Sequence, residues 1–241
     1  MTTAQPGRLV PLLRRGSRPT FLLLPGAGGG LHPYLRLAAA LGQNHNVTAV
    51  RAAGLVPGEE PEHDLAEMAE GALRALEESG TVPEAVLGWS LGGAVAWELC
   101  VRLADRGHRP DLVLVDGSPL PRHSTVEEDQ GLRATIIGML GPRPDPATAE
   151  RVGRVFDTQV AALAAYRADR AYPGRVLMLM CEGDDMAFRD EAAAGWRELA
   201  PQLRGGRLAA GHFAVFDPEH LPQLLDAVVP FVGRTSEAVR Q

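Results

Sequence analysis

The stretch Ala85-Val86-Leu87-Gly88-Trp89-Ser90-Leu91-Gly92-Gly93-Ala94-Val95-Ala96-Trp97-Glu98-Leu99-Cys100 decides the fold. Its first three residues read as a buried strand and its last seven as a helix with a nearly continuous apolar face. Between them lies Gly88-x-Ser90-x-Gly92. The bare pattern is common by chance, but a strand running in and a helix running out make it a nucleophile elbow. The turn is tight, and at Gly88 and Gly92 a Cβ would collide with a neighbouring strand or helix. Ser90 is then strained, with its hydroxyl above the sheet edge and the following N–H groups pointing at the same spot.

Working outward, Thr20-Phe21-Leu22-Leu23-Leu24, Val47-Thr48-Ala49-Val50, Leu112-Val113-Leu114-Val115 and Val176-Leu177-Met178-Leu179-Met180 are short apolar runs, each read as a strand. Arg207-Leu208-Ala209 is expected to be the last strand. Helical spacing covers Pro33 to Leu41, His63 to Glu78, the segment from the elbow to Arg106, and Glu219 to Phe231. Strands apolar on both faces, alternating with helices, predict a mostly parallel sheet covered on both sides, in one α/β domain spanning residues 1–241. The alternation breaks once. Between Pro119 and Pro173 only helix-like stretches occur, at Thr125–Leu140, Ala147–Phe156 and Thr158–Ala171. About fifty residues without a strand are too many for an ordinary connection. The interval of about 119–173 therefore reads as a helical lid inserted over the C-terminal edge of the sheet, where open α/β folds bind ligands. A plain structural excursion is the alternative.

Composition narrows the chemistry. The net charge of −6 gives no support for nucleic-acid binding. All 24 basic residues are arginine, so a Walker A lysine, a Schiff-base lysine and a Ser-x-x-Lys pair are excluded. The N-terminal residues lack the layout of a signal peptide, and no apolar run approaches the roughly 18–20 residues that span a bilayer. Cys100 and Cys181 fall within predicted elements, as buried reduced thiols do. A soluble cytoplasmic protein is expected. Scattered histidines and the absence of His-Glu-x-x-His argue against a metal site, and no cofactor is expected.

A serine nucleophile needs a base and an orienting carboxylate, which in this architecture follow in the order Ser, Asp/Glu, His. Of the seven histidines, His212 sits in Ala209-Ala210-Gly211-His212-Phe213, between the last strand and the closing helix, which is the place for the base. Two positions compete for the acid. Asp116 ends the strand after the elbow helix, while Asp184 and Asp185 follow the next strand, and hydrolases of this class use either. Asp116 is preferred, although it would serve equally as a strand-end residue bonding its own Gly117-Ser118 turn. The loop Pro25-Gly26-Ala27-Gly28-Gly29-Gly30 fits neither phosphate-binding fingerprint. It suits an oxyanion hole in which Ala27 N–H joins Leu91 N–H, with a flexible glycine turn as the plain alternative.

Together these motifs resemble the thioesterase domains that end nonribosomal peptide synthetases and polyketide synthases. The resemblance spans nearly the whole chain. Its carriers are Leu23-Leu24-Pro25-Gly26-Ala27-Gly28-Gly29, Gly88-Trp89-Ser90-Leu91-Gly92-Gly93-Ala94-Val95-Ala96, Leu112-Val113-Leu114-Val115-Asp116-Gly117-Ser118 and Gly211-His212-Phe213. It implies an α/β-hydrolase fold with a helical lid, an acyl-Ser90 intermediate, and an acid at Asp116. It also implies a substrate carried as a thioester on the phosphopantetheine arm of an acyl or peptidyl carrier protein, released by hydrolysis or cyclisation. An acyltransferase using the same residues, a carboxylesterase and a non-catalytic relative of the fold are the other readings. Two departures stand out: Pro25-Gly26 where the family often has His-Pro, and Gly117 beside the acid. The Met1 start and short tails suggest a free-standing enzyme.

Overall fold

A computed structural model of the chain describes residues 7–183 and 186–238. Its centre is a seven-stranded sheet built from β1 (Leu9–Leu13), β2 (Thr20–Leu24), β3 (Asn46–Val50), β4 (Pro83–Trp89), β5 (Asp111–Val115), β6 (Val176–Cys181) and β7 (Leu203–Leu208). The order is β1-β3-β2-β4-β5-β6-β7, parallel except for β1, which pairs antiparallel with β3. Alternation of side chains sorts the strand residues into two cores. Leu22, Leu24, Val86, Leu112, Leu114, Met178 and Met180 face α2 (Leu65–Ser79), α3 (Leu91–Asp105) and α6 (Met186–Leu199). Phe21, Leu23, Ala85, Leu87, Val113, Val115 and Leu179 face α1 (Leu35–Leu41) and α7 (Leu221–Ala238). A sheet buried on both sides explains strands that read as unbroken apolar runs.

Two strands carry no such run. β1 is Leu-Val-Pro-Leu-Leu on the sheet edge, partly exposed and irregular between Pro11 and Leu13. Proline is tolerated there because an edge strand leaves N–H groups unpaired. β7 lies at the other edge and starts at Leu203, four residues before the predicted Arg207. Its centre is Gly205-Gly206, where a Cβ on Gly206 would meet Leu179 Cδ2 at 2.9 Å.

The interval between β5 and β6 holds α4 (Val126–Gly138) and α5 (Pro146–Ala165), and no strand. The expected break between Phe156 and Thr158 does not occur. Val152, Val155, Phe156, Gln159 and Val160 keep one buried stripe through it, so Asp157 is simply an exposed residue of a continuous helix. Asp145 caps α5 by accepting from Thr148 N–H, with Pro146 in the first turn. α4 is held differently. It buries no residue, and its N-terminus is fixed by a reciprocal capping box between Thr125 and Glu128. Few buried contacts make it one of the least anchored elements of the fold. Among the described residues no helix is long and apolar enough to cross a membrane. Cys100 and Cys181 are free and buried.

Candidate active site

The register of the central strands brings three chain ends together. Trp89 pairs with Val115, and Val115 with Leu179, so Ser90 and Asp116 leave adjacent strands at the same level. Ser90 N–H donates to Val115 O at 2.9 Å and Asp116 N–H to Leu179 O at 2.8 Å. Both residues then turn sharply. They are the two non-glycine residues with positive φ among those described, Ser90 at 57° and Asp116 at 46°. Such strain in an L-residue concentrates at functional sites.

The glycines around the elbow permit the turn. A Cβ on Gly88 would stand 2.0 Å from Gly92 O, and one on Gly92 would stand 2.2 Å from Leu24 O. Gly26 and Gly117 are confined in the same way. A Cβ on Gly117 would meet Ser90 O at 2.8 Å, and one on Gly26 would meet the Trp89 ring at 2.7 Å. Trp89 fills that space for a reason. Its indole N–H donates to His212 O at 3.2 Å and its ring lies 4.9 Å from the imidazole, with Phe213 and Phe216 edge-on against it. The tryptophan before the serine thus holds the loop that carries the histidine.

His212 lies between the other two. Its Nε2 is 3.1 Å from Ser90 Oγ and its Nδ1 is 2.7 Å from Asp116 Oδ2. The remaining oxygen of Asp116, Oδ1, accepts from Cys181 N–H at 2.9 Å. Burial pushes the Asp116 carboxyl up, but hydrogen bonds from His212, Arg189 and Cys181 N–H outweigh it and hold the group well below the usual carboxylate range. Asp184 and Asp185, the alternative acids, lie outside the described residues.

A cavity of about 340 Å³ opens over Ser90, lined by Ala27, Leu91, Leu163, Met180, Phe188 and Phe213, among others. Leu91 opens α3, so its N–H has no intrahelical partner and stands at the positive end of the helix dipole. On the other wall, the loop bearing Ala27 is fixed on both sides. Gly26 N–H donates to Tyr34 Oη at 3.2 Å, Gly29 N–H to Gly26 O at 3.1 Å, and Gly28 N–H to Gln159 Oε1 at 2.8 Å. Gly28 has φ 83°, and the space where its Cβ would stand is filled by Ile136 Cγ2. Gln159 of α5 thus bonds this loop, and Ile136 of α4 lies against it. Sequence reading missed Gln159 and Arg189. Gln159 is a buried polar residue on a helix read only as apolar stripe, and Arg189 lies on a helix that reading left unassigned.

Gln159→Met removes the acceptor for Gly28 N–H while keeping the volume. It leaves a buried donor unpaired, and the expected result is a loss of about 1–3 kcal/mol of stability. Thermal or denaturant unfolding of the variant beside the wild type checks it.

The thioesterase domain family matches residues 19–231. A 144-residue stretch is 29% identical to the dimodular nonribosomal peptide synthase of Bacillus subtilis (strain 168), and a 139-residue stretch is 34% identical to erythronolide synthase EryA3 of Saccharopolyspora erythraea. Each match covers 57% of this chain but only 6% and 4% of those far longer relatives. Among solved structures, the NocB thioesterase domain from the nocardicin cluster superimposes with a TM-score of 0.71 at 28% identity, covering 90% of this chain and 95% of that one.

Proposed function

The chain belongs to the thioesterase domain family, a family of hydrolases with the α/β-hydrolase fold, and from that membership we propose that it releases acyl groups from carrier-protein thioesters through an acyl-Ser90 intermediate. In this reading His212 Nε2 takes the Ser90 proton as Oγ attacks the thioester carbonyl, while Asp116 holds the imidazole by its Nδ1–H. The oxyanion is received by Ala27 and Leu91 N–H groups. The carbon–sulfur bond breaks and the phosphopantetheine thiol leaves with the proton from His212. Water then gives its proton to His212 as its oxygen attacks the ester. The carbon–oxygen bond to Ser90 breaks, Oγ recovers the proton, and the free acid departs. The 119–173 interval acts as the lid, and an acyl or peptidyl carrier protein of a nonribosomal peptide or polyketide synthase is the partner, in the cytoplasm.

The observation that carries this reading is the hydrogen-bonded chain Ser90–His212–Asp116 opening into a cavity. Hydrolysis is favoured over cyclisation by two features. The His212 side chain is 26% exposed, within reach of water, and a cavity of about 340 Å³ is near the lower end of ligand pockets, roughly 300–1,000 Å³. It suits an acyl group of modest size better than a long chain folding back on itself. The test is a carrier protein loaded with a short acyl-phosphopantetheine, followed by intact mass. Free carrier thiol and free acid are expected, with the thioester turned over faster than the matching oxygen ester. An oxygen ester turned over faster, or an acyl group recovered on a supplied alcohol or amine instead of as the acid, overturns the proposal.

A further inference from the structure

The Asp116 carboxylate has a partner that the proposed mechanism does not use. Arg189, in the first turns of α6, donates from Nε to Oδ1 at 3.0 Å and from Nη2 to Oδ2 at 3.1 Å. This is a side-on fork, the arrangement that fixes a carboxylate in a plane as well as in position. Together with Cys181 N–H and His212 Nδ1, it gives the carboxylate four hydrogen-bond contacts among the described residues. The Asp116 side chain is 3% exposed and that of Arg189 14%, so the fork is sheltered from bulk water. A second contact ties the same helix to the same loop: Trp196 Nε1 on α6 donates to Gly117 O at 2.9 Å. Arg189 also lines the cavity over Ser90.

We propose that Arg189 is a positioning residue that locks the plane of the Asp116 carboxylate so that Oδ2 stays aligned with His212 Nδ1. The proposal rests on Asp116 being the acid. At φ 46° the Asp116 backbone is in a strained conformation, which persists where surrounding contacts hold it. Among the described residues other than Arg189, Oδ1 is held by Cys181 N–H and Oδ2 only by His212 Nδ1, the group whose alignment is at stake. The Arg189 fork adds one contact to each oxygen that does not depend on the imidazole. A buried carboxylate also needs compensating charge and donors, and the guanidinium supplies both from a helix pinned through Trp196. As catalysis proceeds the imidazole gains a proton, and its Nδ1–H must still find Oδ2 at the same place. A misplacement of about 1 Å in such a site lowers turnover by up to about 10²-fold.

The experiment uses the full chain and compares Arg189→Ala, Arg189→Lys and Asp116→Asn on one acyl thioester, with and without guanidinium chloride at tens of millimolar, well below denaturing concentrations. For Arg189→Ala, kcat is expected to fall roughly 10- to 100-fold with KM changed less than about twofold. Added guanidinium is expected to restore several-fold of the loss in Arg189→Ala and nothing in Asp116→Asn. Arg189→Lys, which keeps the charge but not the fork, is expected to fall in between. Wild-type kcat in Arg189→Ala overturns the proposal, as does a loss confined to KM, which would mark a substrate contact. A lowered kcat with no guanidinium rescue and a lowered melting temperature assigns Arg189 to fold support instead and also overturns it. Should Arg189→Ala not fold, Arg189→Lys decides: a lowered kcat at unchanged KM and melting temperature supports positioning, and wild-type kcat refutes it. If Asp116→Asn remains active, the acid assignment itself fails. If Asp116→Asn is inactive and both Arg189 variants behave as wild type, only the positioning role fails.

Discussion

Ser90→Ala is expected to lower kcat on a carrier-bound acyl thioester by on the order of 10⁶-fold, the cost of removing a serine nucleophile where that has been measured. The fold should survive the change. The strain at φ 57° belongs to the backbone of the elbow, and alanine meets the same restriction as serine there. The turn itself is fixed by Gly88 and Gly92 and by the bonds from Ser90 N–H to Val115 O and from Gly93 N–H to Ser90 O, none of which involves Oγ. A melting temperature within a few degrees of wild type should therefore accompany the loss of turnover. The same variant should also fail to gain the mass of an acyl group when mixed with substrate, whereas the wild type trapped early should gain it. Residual activity above about one per cent, on the same scale, would mean that Ser90 is not the nucleophile.

The elbow was legible because its chemistry and its sterics are written in the same residues. Glycine at 88 and 92 reports backbone contacts of 2.0–2.2 Å that any Cβ would violate, so the fold had to leave that mark in the sequence. The five inner strands were legible for a related reason: burial on both faces demands apolar runs. Of the edge strands, β1 was not legible and only the end of β7 was, because an edge admits Pro11 in β1 and Gly205-Gly206 in β7. His212 could be picked from seven histidines by chain order alone. Its geometry depends on Trp89, whose contact with the His212 carbonyl crosses 123 positions. Contacts of that separation leave no local pattern. Gln159 and Arg189 are hidden for the same cause. Each is one polar residue on an amphipathic helix, and only tertiary placement turns it toward Gly28 or Asp116. Gly26 and Gly117 looked like departures from the family when read singly. In this chain a Cβ on Gly26 would meet the Trp89 ring and one on Gly117 would meet Ser90 O.

Asp116→Asn is expected to lower kcat about 10⁴-fold, as in the hydrolase triads where this change has been made. An amide matches the carboxylate in shape but places an NH₂ group where an acceptor is needed. Oδ1 takes hydrogen bonds from Cys181 N–H and Arg189 Nε, while Oδ2 faces His212 Nδ1 and Arg189 Nη2. Whichever way the amide turns, one side meets donors with a donor. If it keeps its oxygen toward Cys181 and Arg189, the NH₂ faces His212 and selects the tautomer with its proton on Nε2, which cannot accept from Ser90. Asp184→Asn and Asp185→Asn are the comparators, and each should retain activity within several-fold of wild type. Loss in either of them with Asp116→Asn active would transfer the role of acid to the later strand. Stability gives an independent reading. The Asp116 carboxyl titrates below its unfolded value in the folded chain, so it stabilises the fold at every pH above the usual carboxylate range. That contribution is lost as pH falls through the folded value. Melting temperatures should therefore separate most between wild type and Asp116→Asn near neutrality and converge as the pH drops below about 4, the ordinary aspartate value. A constant separation across that window would mean that the carboxylate's charge does not contribute to holding the loop.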